Sequence, residues 1–180
     1  MLNWSKWPPL LRVPLAYGIV AGFLGFVLLM VLYYTGHHPF LIPIFFDFRI
    51  IVLSIFILFA LKELRESHYG GLLHFWQGMI GSFLLTLIFA IITSSLLYAF
   101  ALWNHAFVTE YVELTLAQIK MFPKQEMERL GKEVYEEGIR SLQLADAEFL
   151  ATRYFTQSFI LSFFLSVIIS VILRRQSKIT

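Results

Sequence analysis

The chain has 180 residues, of which 58% are hydrophobic and 14% charged, and a formal net charge of +2. Soluble domains carry roughly 25% charged residues, and a soluble chain of this length cannot hide so much apolar surface, so composition and a mean hydropathy of +0.73 exclude an ordinary water-soluble domain. The small net charge gives no footing for nucleic acid, and the absence of cysteine removes disulfides, thiolate metal sites and cysteine nucleophiles.

Residues 1–12 hold Trp4, Lys6, Trp7, Pro8, Pro9 and Arg12. Tryptophan and basic side chains belong at a membrane interface. No small-residue cleavage site follows the first apolar run, so that run is expected to be its own uncleaved insertion signal. It covers about 13–34, enough at 1.5 Å per residue to cross a hydrocarbon core of about 30 Å. Tyr33 and Tyr34 mark its far interface, and Thr35-Gly36-His37-His38-Pro39 turns the chain.

The second run is short. Residues 50–61 are apolar or small, but they rise only about 18 Å as a helix. To cross, the helix must reach back to about Ile42, a predicted span of 42–61 that draws Asp47 and Arg49 into the membrane. A charged loop follows, with Lys62, Glu63, Arg65, Glu66 and His68 before Gly70-Gly71. The third run covers about 75–103, and Trp76 and Trp103 sit near its two ends. They lie roughly 40 Å apart along a helix, the spacing of paired interfacial belts.

Residues 104–153 form the polar stretch, with six Lys/Arg and nine Asp/Glu. Val108, Tyr111, Val112, Thr115 and Ile119 recur at helical spacing until Pro123 breaks the pattern. A second helix is predicted over 124–137, with Met127, Leu130 and Val134 on one face and an interruption at Gly138. A third segment from Leu142 runs into the fourth apolar run, 155–173, and Arg174, Arg175 and Lys178 close the chain. The predicted fold is one all-α membrane domain over 1–180, with four transmembrane helices and an extracytoplasmic helical insert, 104–153. Lys6 and Arg12, Lys62 and Arg65, and the terminal basic cluster flank the same side of the spans. The positive-inside rule then places both termini in the cytoplasm of a bacterial inner-membrane protein.

Small residues form rows along the spans: Ser158, Ser162, Ser166 and Ser170; Gly78, Ser82, Thr86, Ala90 and Ser94; and Gly18, Gly22 and Gly25. In lipid such rows let backbones approach and hydroxyls bond across. They predict packing faces between helices, and the competing reading is a self-association contact or a polar seam lining a solute path.

Asp47 and Arg49 are the candidate functional charges, because an intramembrane charge is expensive. Residues two apart do not face each other on a helix, so they are not expected to form a simple pair. Their bland reading is a position near the interface, each solvated or bonded to backbone. His37, His38 and His105 are candidates for one metal site, at a spacing that does not match known ligand patterns. His68 and His74 lie at helix ends and match paired haem ligands poorly. No phosphate-cradling glycine loop, H-E-x-x-H or G-x-S-x-G occurs, so no catalytic residue, cofactor or metal is assigned.

Lys62-x-x-Arg65, then Gly70-Gly71, then Phe75-x-x-Gly78 opening a long span, resembles the bacterial family called domain of unknown function 4199, seen mostly in Bacteroidetes. Tyr17-Gly18, Gly22, the polar insert and Arg174-Arg175 fit the same pattern. The resemblance implies four spans in a cytoplasmic membrane and brings no substrate, reaction or catalytic residue. The expected function is a non-enzymatic scaffold or accessory subunit, with lipid and other membrane proteins or a second copy as partners. The alternative is a small transporter or channel using Asp47, Arg49 and the serine face.

Overall fold

A computed structural model describes residues 7–43, 46–121 and 132–174. The chain is all-α, with six helices among those residues: α1 Pro9–Tyr34, α2 Phe48–Glu63, α3 Phe75–Trp103, α4 His105–Lys120, α5 Lys132–Gln143 and α6 Ala147–Leu173. Three of them, α1, α3 and α6, are long and apolar enough to cross a membrane. With 26, 29 and 27 residues, each extends about 39–44 Å. These helices mark a membrane protein.

The second run departs from the prediction. Instead of starting near Ile42, α2 starts at Phe48 and has 16 residues, about 24 Å of helix. The cause is local. A residue before proline is driven out of the helical region, and Ile42, before Pro43, is extended at φ −71° and ψ 130°. Pro39–Leu41 forms one 3-10 turn instead. Asp47 then caps α2, its side chain accepting from the backbone N–H of Arg49.

α3 is the central element. It packs along α1 on one side and α6 on the other, while α2 fills between α1 and α6. Leu29, Leu53, Ile57, Leu61, Leu85, Phe89 and Leu97 are fully buried where these helices meet. A π turn over Leu64–His68 ends α2. Gly70 and Gly71 then reverse the chain at φ 58° and 87°, left-handed values that glycine adopts without a steric cost.

The last two boundaries also moved. The fourth apolar run belongs to one continuous helix from Ala147, because Asp146 accepts from the N–H of Phe149 and starts it eight residues before Phe155. Gly138 interrupts nothing and lies within α5. The predicted helix start at Lys124, with Met127 and Leu130, lies outside the described residues, as do Trp4, Lys6, Arg175 and Lys178.

Candidate functional site

The helix contacts begin with glycine. A Cβ on Gly18 would stand 2.8 Å from the Leu85 carbonyl oxygen and 2.9 Å from Ile88 Cβ; on Gly22, 2.9 Å from Ile92 Cβ; on Gly25, 2.6 Å from the Phe89 ring. The row therefore brings the backbone of α1 against α3. Thr93, which the sequence rows did not include, donates its hydroxyl to the Gly22 carbonyl at 2.9 Å and fastens the same contact.

The serine ridge faces α3. Ser158, Ser162, Ser166 and Ser170 have no exposed surface, and neither do Ser82 and Thr86 opposite. Ser162 and Thr86 share a hydrogen bond of 2.5 Å between α6 and α3. A Cβ on Gly78 would meet Ser170 Oγ at 2.7 Å. Ser82 and Thr86 also donate to the carbonyls of Gly78 and Ser82 one turn back. Ser82 and Thr86 are thus satisfied within α3 and leave the helices free to touch, with cross-helix bonds worth about 0.6 kcal/mol on average in lipid.

Asp47 and Arg49 require a correction. They do pair. Arg49 Nε donates to both Asp47 carboxylate oxygens, at 2.9 and 2.8 Å, and Nη2 donates to Oδ2 as well. The helical rule does not apply, because Asp47 precedes the helix in extended conformation, φ −69° and ψ 116°. Its carboxylate turns back over the first turn and meets the guanidinium there. Neither residue is solvated: the two side chains are 10% and 11% exposed.

The same guanidinium reaches α6. Its central carbon lies 4.7 Å from the centre of the Tyr154 ring, within the range of a cation–π contact. Nη2 donates to Gln157 Oε1 at 3.2 Å, and Nη1 makes longer 3.4 Å contacts with the Tyr154 carbonyl and Ser158 Oγ. At the other end of α2, the Tyr17 hydroxyl donates to Glu63 at 2.8 Å and ties α2 to α1. Arg65 sits at 3.5 Å from the Leu173 carbonyl at the end of α6. Arg49 and Glu63, at the two ends of α2, are therefore each joined to a neighbouring helix.

The histidines separate. His38 is buried, 6% exposed, and its Nε2 donates to the Phe107 carbonyl at 3.0 Å. Phe107 and Tyr111 of α4 stack on it with ring centres 4.7 and 5.5 Å away, and Tyr33 and Phe40 complete an aromatic box. Nδ1 has no partner among the described residues. Burial pushes the His38 pKa down, against smaller upward pulls from the Phe107 carbonyl and Glu110. His37 is exposed instead. No group of three His, Cys, Asp or Glu able to hold a metal occurs among the described residues, so the His37, His38 and His105 site is not assembled. His38 is the pin that docks α4 onto the turn after α1.

The model of the family described as "Protein of unknown function (DUF4199)" matches residues 16–175, from α1 to just past the end of α6. The chain belongs to the DUF4199 family. No curated protein and no solved structure matches it. Three sets of buried polar groups in this DUF4199 chain stand beside the Tyr17–Glu63 and Arg65–Leu173 contacts: hydroxyl seams along α3, an ion pair at the start of α2, and an aromatic box around His38. All three join one element to another.

Proposed function

We propose that this DUF4199 chain is a non-enzymatic integral membrane protein that acts as a scaffold or accessory subunit. The observation that carries this reading is the use of the Arg49 guanidinium. Its donors are directed to Asp47, Gln157, Ser158 and the Tyr154 carbonyl, an arrangement that suits fastening α2 to α6 better than relaying an ion. The transporter alternative needs those same groups free to meet a solute.

The presented surface in this reading is the helical insert. Leu114, Met121, Val134 and Leu144 are exposed at 46%, 83%, 62% and 76%, on a segment that carries most of the chain's acidic residues. Large apolar side chains among charges are the composition of a protein-contact surface. Short loops rich in Lys and Arg favour cytoplasmic termini and place this insert outside the bacterial inner membrane. In this arrangement α2 is a fourth crossing, completed by the chain from about Ile42 that precedes it. Irregular backbone is tolerated at membrane depth where protein covers it, and Arg49 at that end of α2 is a buried side chain.

The test is the mass of the intact complex released from native membranes in mild detergent. A partner at fixed stoichiometry is expected, and Val134→Glu with Leu144→Glu should release it while the chain stays folded. A lone chain or a homo-oligomer, unchanged by those substitutions, would overturn the reading.

A further inference from the structure

Two grooves flank the first turns of α6, and they share a wall made by Glu148 and Thr152. The larger, about 660 Å³, lies toward the end of α5 and is bordered by Leu144, Arg153, Thr156 and Gln157. The smaller, about 360 Å³, lies toward α3, with Ser94, Ser95, Tyr98 and Phe155 on its sides. The larger volume is in the range of small-molecule sites. One site therefore offers two carboxylates, of which Asp146 is engaged in capping α6 and Glu148 is not, with a guanidinium, hydroxyls and an apolar flank.

The level of the grooves narrows the ligand. Eighteen residues separate Phe155 from Leu173 at the end of α6, about 27 Å of helix, against a hydrocarbon core of about 30 Å. Thr152 and Arg153, on the turn before Phe155, then stand at headgroup depth. Trp103, 81% exposed at the same end of α3, suits that interface. On α3, Ser95 and Tyr98 wall the smaller groove and Ile91, one turn below, is exposed, where an acyl chain would run.

We propose that this double groove binds a zwitterionic aminophospholipid, with its primary ammonium on Glu148, its phosphodiester on Arg153 and one acyl chain between α3 and α6. Charge complementarity selects this occupant. Glu148 forms no ion pair among the described residues, and a primary ammonium brings three N–H donors to it. Arg153 donates to the Tyr111 hydroxyl through Nη1, which leaves other guanidinium N–H groups for phosphate oxygens. A trimethylated headgroup lacks the donors, and a glycerol headgroup lacks the cation.

The larger groove shares Leu144 with the proposed partner surface, so the purified chain without a partner tests the lipid site. Phosphatidylethanolamine, phosphatidylcholine and phosphatidylglycerol of matched acyl chains are titrated onto it in detergent, and retention is read by intact mass. Phosphatidylethanolamine is expected to bind several-fold more tightly than the other two. Glu148→Gln should abolish that preference, while Arg153→Gln should weaken all three lipids. Thr152→Trp, which fills the shared wall, should lower retention without removing either charge, and Glu113→Gln outside the grooves should change nothing. Equal retention of the three lipids, a preference for phosphatidylglycerol, or a Glu148→Gln variant with the original selectivity would each overturn the assignment.

Discussion

The Arg49 guanidinium stands between the carboxylate of Asp47, the residue that caps its helix, and the Tyr154 ring of α6, 4.7 Å from the ring centre. This one side chain decides where the start of a short helix rests on a long one. Breaking a buried pair by removing one partner costs about 3–5 kcal/mol, because the other charge is left uncompensated, whereas replacing both with apolar groups is often close to neutral. Arg49→Leu and Asp47→Leu are each expected to lower thermal stability in detergent strongly. The double variant should recover much of the loss. A fully additive pair of losses would mean that the two residues act separately.

How much of this was legible in the sequence depends on the range of the interaction. The rows of glycine and serine were readable because one helix repeats them at its own period, and Gly18, Gly22, Gly78 and the four serines all lie buried between helices. The Asp47–Arg49 pair was not readable. Its geometry follows from a helix start at Phe48 that Asp47 caps, whereas a helix extended back to Ile42 would put the two side chains apart. The role of His38 was not readable for another reason. Its neighbours Phe107 and Tyr111 are far along the chain, and local spacing carries no sign that α4 folds back on the turn. Thr93 and Tyr17 share that limit, since their partners Gly22 and Glu63 lie on other helices.

The hydroxyl seam between α3 and α6 leaves no room for longer side chains. Ser162 and Ser166 are fully buried, and Ser162 bonds directly to Thr86. Adding bulk to a packed interior costs about 1–3 kcal/mol per site. Ser162→Leu with Ser166→Leu should therefore lower the melting temperature in detergent by more than Ile160→Ala, whose side chain is 59% exposed. Gly22→Leu is expected to act similarly on the contact between α1 and α3. A double serine variant with the original melting temperature would show that this ridge is not a packing face.

His38 gives the fold an acid-sensitive joint. Its pKa is lowered in the folded state from the ordinary 6.5, chiefly by burial, with Glu110, Tyr33 and Tyr111 around it. A group whose folded value is depressed binds its proton more readily when unfolded, so stability rises with pH between the two values. The His38 contribution is full above about 6.5 and is lost as pH falls toward the folded-state value. Thermal melts from pH 7.5 down to 5 should show this loss, together with earlier proteolysis within α4. His38→Phe fills the aromatic box without a titrating group and should flatten the profile. If the variant and the parent lose stability in parallel, other groups cause the acid sensitivity.

The absence of cysteine in the natural sequence makes the direction of insertion directly measurable. Ser67, exposed at the turn after α2, and Val134, exposed on α5, lie in the two segments that the charge rule places on opposite sides. Lys62 and Arg65 flank the first, while the second carries excess acid and is long enough to translocate whatever its charge. Single Ser67→Cys and Val134→Cys variants react with a maleimide that does not cross membranes. On intact spheroplasts, Val134→Cys should label and Ser67→Cys should label only after permeabilisation. The reverse pattern would invert the topology. Labelling of both on intact spheroplasts would mean that the segment between them crosses an even number of times, so α3, which lies within it, could not be a single crossing.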